Sequence, residues 1–366
     1  MKLCSAPIEL RLRASKDLAW TTPLLCALLL LAAPALAQQT GKPARNHRTD
    51  WIKDAKWGVF MHYMGDTVLK GDELTVENWN KAVDAFDVEG LANQLASAGA
   101  GYFVLTLGQN SGFYCSPNAT YDRLTGISPG KCSRRDLVSD LSGALRARHI
   151  RLMVYLPSGA PDRDKAAMKA LEWKPGQSPL WSYKDGKPKE QDDRLVSFQR
   201  KWESVIAEWS KRWGRKVSGW WFDGCYYPDA MYRHPEAPNF ASFAASARTG
   251  NPDSIVAFNP GVLNPIITLT PDEDYTAGEI NEPDKVVCAG RWVGQAQFQM
   301  LSYLGPSWCQ KPPRFKAEQV VAFTRSITDK EGAVTWDVPP AGINGHIPDD
   351  FLVQLKAVGA ALARKQ

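Results

Sequence analysis

Histidine is scarce in this sequence, and none pairs with another. Only His47, His62, His149, His234 and His346 occur in 366 residues, and no two stand at metal-ligand spacing, which argues against a metallohydrolase. There is no C-x-x-C, so neither a zinc ribbon nor a dithiol redox motif is expected. No apolar run leads into G-x-G-x-x-G, G-x-x-x-x-G-K-[ST] or a G-x-S-x-G elbow, which removes the usual dinucleotide, P-loop and serine-hydrolase sites. Lys and Arg never gather into a stripe. The net charge of +5 is diffuse, and no nucleic-acid partner is expected. Beyond residue 37 no apolar run approaches the roughly 20 residues of a membrane span.

What is present begins with a distinctive first 37 residues. Lys2, Arg11, Arg13 and Lys16 lead into PLLCALLLLAAPALA, which closes on Ala35-Leu36-Ala37. A charged region, a short apolar region and small residues at the end read as a secretory signal peptide (1–37) cut near Ala37–Gln38, with an uncleaved anchor as the alternative. The mature protein is then expected to be soluble and secreted or periplasmic. Residues 38–50 form a polar lead-in, expected to be flexible. Five cysteines remain after the cut, and Cys115 with Cys132, which bracket one loop, are the first candidates for a disulfide. Asn118-Ala119-Thr120 is a glycosylation sequon.

From residue 51 to 366, short apolar runs alternate with amphipathic ones. The short runs are 56–62, 101–107, 151–157, 218–223, 254–259, a weaker 274–279, 299–305 and 332–338. Most are β-branched or aromatic and continuous, as expected of strands buried on both faces of a parallel sheet. Helical spacing fills 87–99, 133–149, 193–214, 317–329 and 349–365. Eight runs with helices between most of them predict an α/β fold, a single (β/α)8 barrel domain, with a doubly wound open sheet as the alternative. The connections around the fifth to seventh runs are irregular.

In such a barrel, polar residues at the C-terminal ends of the strands are the candidates for chemistry. Here these are His62, Gln109 with Asn110, Ser158, Asp223, Asn259, Glu279 and Asp337. Two carboxylates on separate strand ends, ringed by aromatics, are the equipment of glycoside hydrolysis. Each residue also has a plainer reading. Asp223-Gly224 is ordinary turn chemistry, Glu279 alone is a solvated carboxylate, His62 is a core or capping histidine, and most of the 14 tryptophans are core.

Several segments together resemble the α-L-fucosidase family of retaining glycosidases. DAKWGVFMHYMG is similar to that family's opening strand. FDVEGLANQLASAGAGYFVLTLGQNSGF is similar to its first helix and second strand, and GWWFDG to the W-x-D-G strand. DYTAGE resembles the D-[FY]-x-T-x-E segment, QMLSYLGPSW the stretch before S-[WF]-G-Y, and AVTWDVPPAGINGHIPDDFLVQLKAVGAAL the closing run. The resemblance implies Asp223 as nucleophile and Glu279 as acid/base. It also implies Trp221, His62, Glu77, Tyr155 and Trp308 as sugar contacts, Trp308 against the 6-methyl.

Departures accompany the likeness. Gln109-Asn110 replace paired histidines, Ser111 replaces an aspartate, and Pro260-Gly261 follow Asn259 where an arginine is usual. Amides still donate and accept, but with another reach, so Gln109 and Asn110 imply a changed specificity. The family's C-terminal β-sandwich is expected to be absent. The implied function is a secreted retaining exo-glycosidase acting on α-L-fucosides or a related sugar. A relative with changed linkage or endo action, and a non-catalytic carbohydrate-binding protein, stand as alternatives. A carbohydrate is the expected partner, and no cofactor or metal is expected.

Overall fold

Seven of the apolar runs become strands: β1 Trp57–Met61, β2 Tyr102–Thr106, β3 Arg151–Pro157, β4 Gly219–Asp223, β5 Ile255–Phe258, β6 Gln299–Tyr303 and β7 Ala333–Val338. In this computed structural model they form one parallel sheet in the order β6-β7-β1-β2-β3-β4-β5. The structure describes residues 46–174 and 194–363, with the backbone of two short strands, Tyr183–Lys184 and Lys187–Pro188, between them. The expected signal peptide and most of the lead-in lie outside the described residues.

Strand parity explains why the runs are apolar throughout. Phe60, Val104, Tyr155, Trp221, Ala257 and Leu301 belong to an inner cluster. Their neighbours Val59, Phe103, Val154, Trp220, Val256 and Met300 belong to the larger core under the helices. Successive side chains face opposite sides of a strand, so a sheet covered on both faces needs both parities apolar. The same parity turns Asp223 and Asp337 toward the inner side.

The sheet is curled, as in a (β/α)8 barrel, and residues 274–280 run between its two edges. Asp274 N donates to Val256 O on β5 at 2.8 Å, and Leu301 N of β6 donates to Gly278 O at 2.8 Å. Glu279 pairs with Leu301 in an isolated parallel bridge. Gly278 has φ +62°, and a Cβ there would lie 1.9 Å from Gln299 O, so a side chain is excluded where this segment crosses β6.

The helices match their expected spans within a few residues. Val88–Ala98 starts on Asp87, whose carboxylate accepts from Gly90 N, and stops on Gly99 at φ +74°. Val196–Trp213 buries Trp202, Trp209 and Trp213 along one face. No helix among the described residues is long and apolar enough to cross a membrane.

Two expectations are corrected. Cys115 and Cys132 are both free and buried. Cys132 stands opposite Tyr114, not Cys115, and Cys115 Sγ turns to Thr106 O. The sequon asparagine, Asn118, is fully buried as a helix cap, accepting from Tyr121 N and donating to Val205 O at 2.9 Å. Its amide is structural.

Candidate active site

Asp223 ends β4 on the inner side. Its Oδ1 accepts from Gly224 N and from Asn259 Nδ2, each at 2.8 Å, and its Oδ2 accepts from Tyr155 OH at 2.6 Å. Tyr226, three residues on, is near enough for the Asp223 charge, and then burial, to hold its phenol protonated. In the 274–280 segment Tyr275 and Ala277 join the inner cluster, and the alternation carries Glu279 to the same side. Glu279 Oε2 accepts from Asn259 Nδ2 at 2.5 Å. One amide nitrogen therefore donates to both acids, and the two bonded oxygens stand no further apart than those two bond lengths laid end to end.

The acids share only neutral donors, and electrostatics separates them. Burial first, then the Asp223 charge, pushes Glu279 up to about 7, while the Asn259 hydrogen bond and His62 pull the other way. A large share of Glu279 is thus protonated at neutral pH. Burial and the Asp223 charge hold the Tyr155 phenol protonated, which keeps it a donor to Asp223. Tyr155 OH in turn accepts from Gln109 Nε2 at 2.6 Å.

These groups open onto a cavity of about 190 Å³ lined by Phe60, His62, Met64, Gln109, Tyr155, Trp221, Asp223, Glu279, Leu301, Trp308 and Cys309. At about 30 Å³ per water it holds roughly six waters. Tyr155 stacks on Trp221 with ring centres 5.4 Å apart, and Trp221 Nε1 donates to Ala277 O at 3.0 Å. Trp308 stands edge-on to His62 at 5.7 Å. His62 is buried, and its Nδ1 bonds Asp337 Oδ1 at 2.7 Å. Burial alone would lower the imidazole's pKa, but Cys309 and Asp337 beside it outweigh that and hold it well above the usual value.

Not every candidate reaches the cavity. Glu77 does not: it lies on the exposed face of helix Val76–Asp84, 2.6 Å from Lys81 Nζ, because Trp79, Asn80 and Val83 take the buried face. Asn110 is beside the cavity but not in its lining, and its carbonyl accepts from Arg163 N. Ser158 belongs to a separate small cleft with Gln199 and Trp202. The letters G-x-S-x-G do occur at 126–130, but they follow helix Ala119–Thr125 and make no strand-to-helix elbow. Most tryptophans are core, with Trp57, Trp79, Trp202, Trp209, Trp220 and Trp336 among the largest fully buried side chains.

Sequence reasoning did not single out Asn259 as the bridge, nor Cys309, Met64 or Tyr226. A polar strand-end residue beside Pro260-Gly261 was the visible signal for Asn259.

A family model described as Alpha-L-fucosidase matches residues 75–366. No curated protein sequence matches the chain. Among solved structures, the endo-fucoidan hydrolase MfFcnA4 from glycoside hydrolase family 107 is similar with TM-score 0.64 and 17% identity. That match covers 88% of this chain and 55% of MfFcnA4, so the chain spans about half that protein's length. The endo-fucoidan hydrolase P5AFcnA is similar with TM-score 0.61 and 15% identity, covering 85% and 92%. The alpha-L-fucosidase AlfC from Lactobacillus casei, in complex with alpha-L-fucose product, is similar with TM-score 0.58 and 15% identity, covering 86% and 98%. At such identities the likeness speaks for the fold.

Proposed function

The chain belongs to the α-L-fucosidase family of glycoside hydrolases, and from that premise we propose that it is a retaining exo-glycosidase acting on α-L-fucosides or a stereochemically related sugar. The observation that carries this reading is the shared amide of Asn259. Two carboxyl oxygens bonded to one nitrogen at 2.8 and 2.5 Å suit the about 5–5.5 Å spacing of retaining enzymes better than the wider spacing of inverting ones, which supports retention.

In the first step an Asp223 oxygen attacks the anomeric carbon as the glycosidic C–O bond breaks. Glu279 gives its proton to the departing oxygen. Glu279, now ionised, then takes a proton from water, whose oxygen attacks the same carbon and releases Asp223 as a carboxylate. Burial and the neighbouring charge keep Glu279 supplied with that proton, while Tyr155, Gly224 and Asn259 donate to Asp223 and hold its carboxyl in position. Segment 274–280 acts as the sixth stave of a (β/α)8 barrel, which is what brings Glu279 opposite Asp223.

Exo action is supported by a cavity with room for about one ring. Trp308 and Trp221 offer apolar faces to the sugar, and His62, Gln109 and Tyr155 offer polar atoms to its hydroxyls. Endo action is the second reading, favoured by the fold likeness to endo-fucoidan hydrolases. The residues 1–37 direct the protein out of the cytoplasm, which N-terminal sequencing of the exported chain would check.

Hydrolysis of an aryl α-L-fucoside, followed by NMR of the first-formed sugar, tests the reading. Release of the α anomer is expected. Release of the β anomer would overturn retention. Binding on a glycan array with no turnover of any aryl glycoside would overturn the enzyme. Oligosaccharide products from a fucan, with aryl fucosides untouched, would favour the endo reading.

A further inference from the structure

We propose that His62 and Cys309, held by Asp337, form a binding site for a thiophilic divalent cation of the Zn2+ class in the wall of the pocket. The three residues come from separate parts of the chain: His62 follows β1, Cys309 lies in the loop after β6, and Asp337 is on β7. One ring nitrogen of His62, Cys309 Sγ and a carboxylate oxygen of Asp337 all lie within 4.8 Å of one another. Among the described residues no other group of three such donors comes this close.

Asp337 organises the other two. Its Oδ1 takes His62 Nδ1 at 2.7 Å, which leaves Nε2 for a ligand. A carboxylate orienting one imidazole nitrogen while the other meets the metal is the usual outer arrangement of histidine sites. Its Oδ2 accepts from Cys309 N at 3.2 Å. That bond fixes a cysteine backbone in the left-handed region, at φ +60°, which a side-chain-bearing residue adopts only when its surroundings impose it. The same carboxylate thus holds both the imidazole and the cysteine backbone, with Sγ and a ring nitrogen of His62 within 4.8 Å of each other.

The donor chemistry selects the ion. Thiolate and imidazole suit Zn2+ and its neighbours, whereas Mg2+ and Ca2+ want oxygen. A tetrahedral ion with bonds of about 2.0–2.3 Å holds its ligand atoms roughly 3.4–3.7 Å apart, against the 4.8 Å within which the three donors lie here. On coordination the thiol proton and the proton on His62 Nε2 both leave to solvent, so Sγ binds as thiolate and Nε2 as a neutral imidazole nitrogen. His62 and Cys309 both line the cavity, so the remaining positions face water or sugar hydroxyls. No spacing in the chain hints at this, since no two histidines are at ligand spacing and Cys309 stands 247 residues from His62.

The test titrates the reduced full chain with Co2+ and reads the thiolate-to-cobalt charge-transfer absorption. We expect a band that saturates at one ion per chain, is displaced by Zn2+ and is removed by a chelator. Cys309→Ser should abolish the band although six other cysteines remain, and Asp337→Asn should weaken binding about 10- to 100-fold. Cys288→Ser should leave it intact. Absence of the band in the wild type, or its survival in Cys309→Ser, overturns the site. If Cys309→Ser does not fold, wild type alkylated at Cys309, verified by peptide mass, asks the same question. A second arm rests on the proposed glycosidase reading: Zn2+ should inhibit aryl-fucoside hydrolysis reversibly in wild type and at least tenfold less in Cys309→Ala. The absorption arm needs no turnover, so failure of the site and failure of the function are told apart.

Discussion

The six residues 274–279 carry a carboxylate at each end, Asp274 buried and Glu279 half-buried at the cavity, and the two are treated in opposite ways. Asp274 is met by Arg48 at 2.9 Å, Arg248 at 2.5 Å, Asn46 Nδ2 at 2.6 Å and Val256 N at 2.9 Å. Two guanidinium groups compensate its charge, and every bond ties the lead-in, a helix or a strand to it. Glu279, five residues on, has one amide and a second carboxylate nearby, and no Lys or Arg pairs with it among the described residues. A buried charge with partners is a fastening; one without is held near its titration point at a cost in stability. The same short segment thus uses charge for architecture at one end and, on the proposed mechanism, for reactivity at the other.

Exchanging one residue at a time breaks this contrast. The largest effect is expected at the proposed nucleophile: Asp223→Ala should lower kcat on aryl α-L-fucoside by on the order of 10⁴-fold or more, with a nearly unchanged melting temperature. Full activity in that variant ends the assignment. Glu279→Gln should cost about 10²–10⁴-fold in kcat, and least with substrates whose leaving group needs no proton. Its stability should move the other way. Glu279 is pushed from 4.5 up to about 7, so the native state holds the extra proton in that window and its stability falls as pH rises through it. The glutamine cannot ionise, so the variant should melt higher than wild type at pH 8 and about equal at pH 4. A variant that melts lower at pH 8 would mean that the charge is compensated after all.

The opposite end should answer in stability and hardly in rate. Arg248→Ala removes the better buried of the two cations on Asp274, itself buried, and should destabilise by roughly 3 kcal/mol in urea unfolding. The fraction that remains folded should turn over at close to the wild-type kcat. A large loss of kcat per folded molecule would show that the fastening and the reactive end are not separable.

How much of this was legible follows from what each residue does. Strands such as WGVFM and YFVLT announce themselves because both faces are buried and both parities must be apolar. Segment 274–279 is weak in the same measure because Asp274 and Thr276 are satisfied by side chains and by Gln299 O rather than by apolar neighbours. His62, Tyr155, Trp221, Asp223, Glu279 and Trp308 stand around one cavity because each sits at or just past a strand end, and position along a strand is visible in sequence. Glu77 was misplaced although the signal was there: Trp79, Asn80 and Val83 mark the buried side of its helix, and Glu77 falls opposite. Asn259 and the Asp337–Cys309 contact depend on distances across the sheet, which no spacing within the chain encodes.

The smallest and most discriminating expectation concerns the bridge between the two acids. Asn259 Nδ2 bonds Glu279 Oε2 at 2.5 Å, and this bond favours the ionised form of Glu279. Asn259→Ala removes it. It also removes a donor from Asp223 Oδ1, which leaves the neighbouring negative charge less spread and so acts on Glu279 in the same direction. Both consequences raise the pKa of Glu279. If Glu279 is the group that must be protonated, the alkaline limb of kcat/KM, expected near 7 in the wild type, should move to higher pH in Asn259→Ala. The peak rate should fall as well, because the two carboxyl groups lose their common anchor. The fall alone proves little, since any loosened site is slower. The direction of the limb is the informative quantity: a shift to lower pH would place the essential proton on some group other than Glu279, and the contrast between the two ends of 274–279 would lose its chemical meaning.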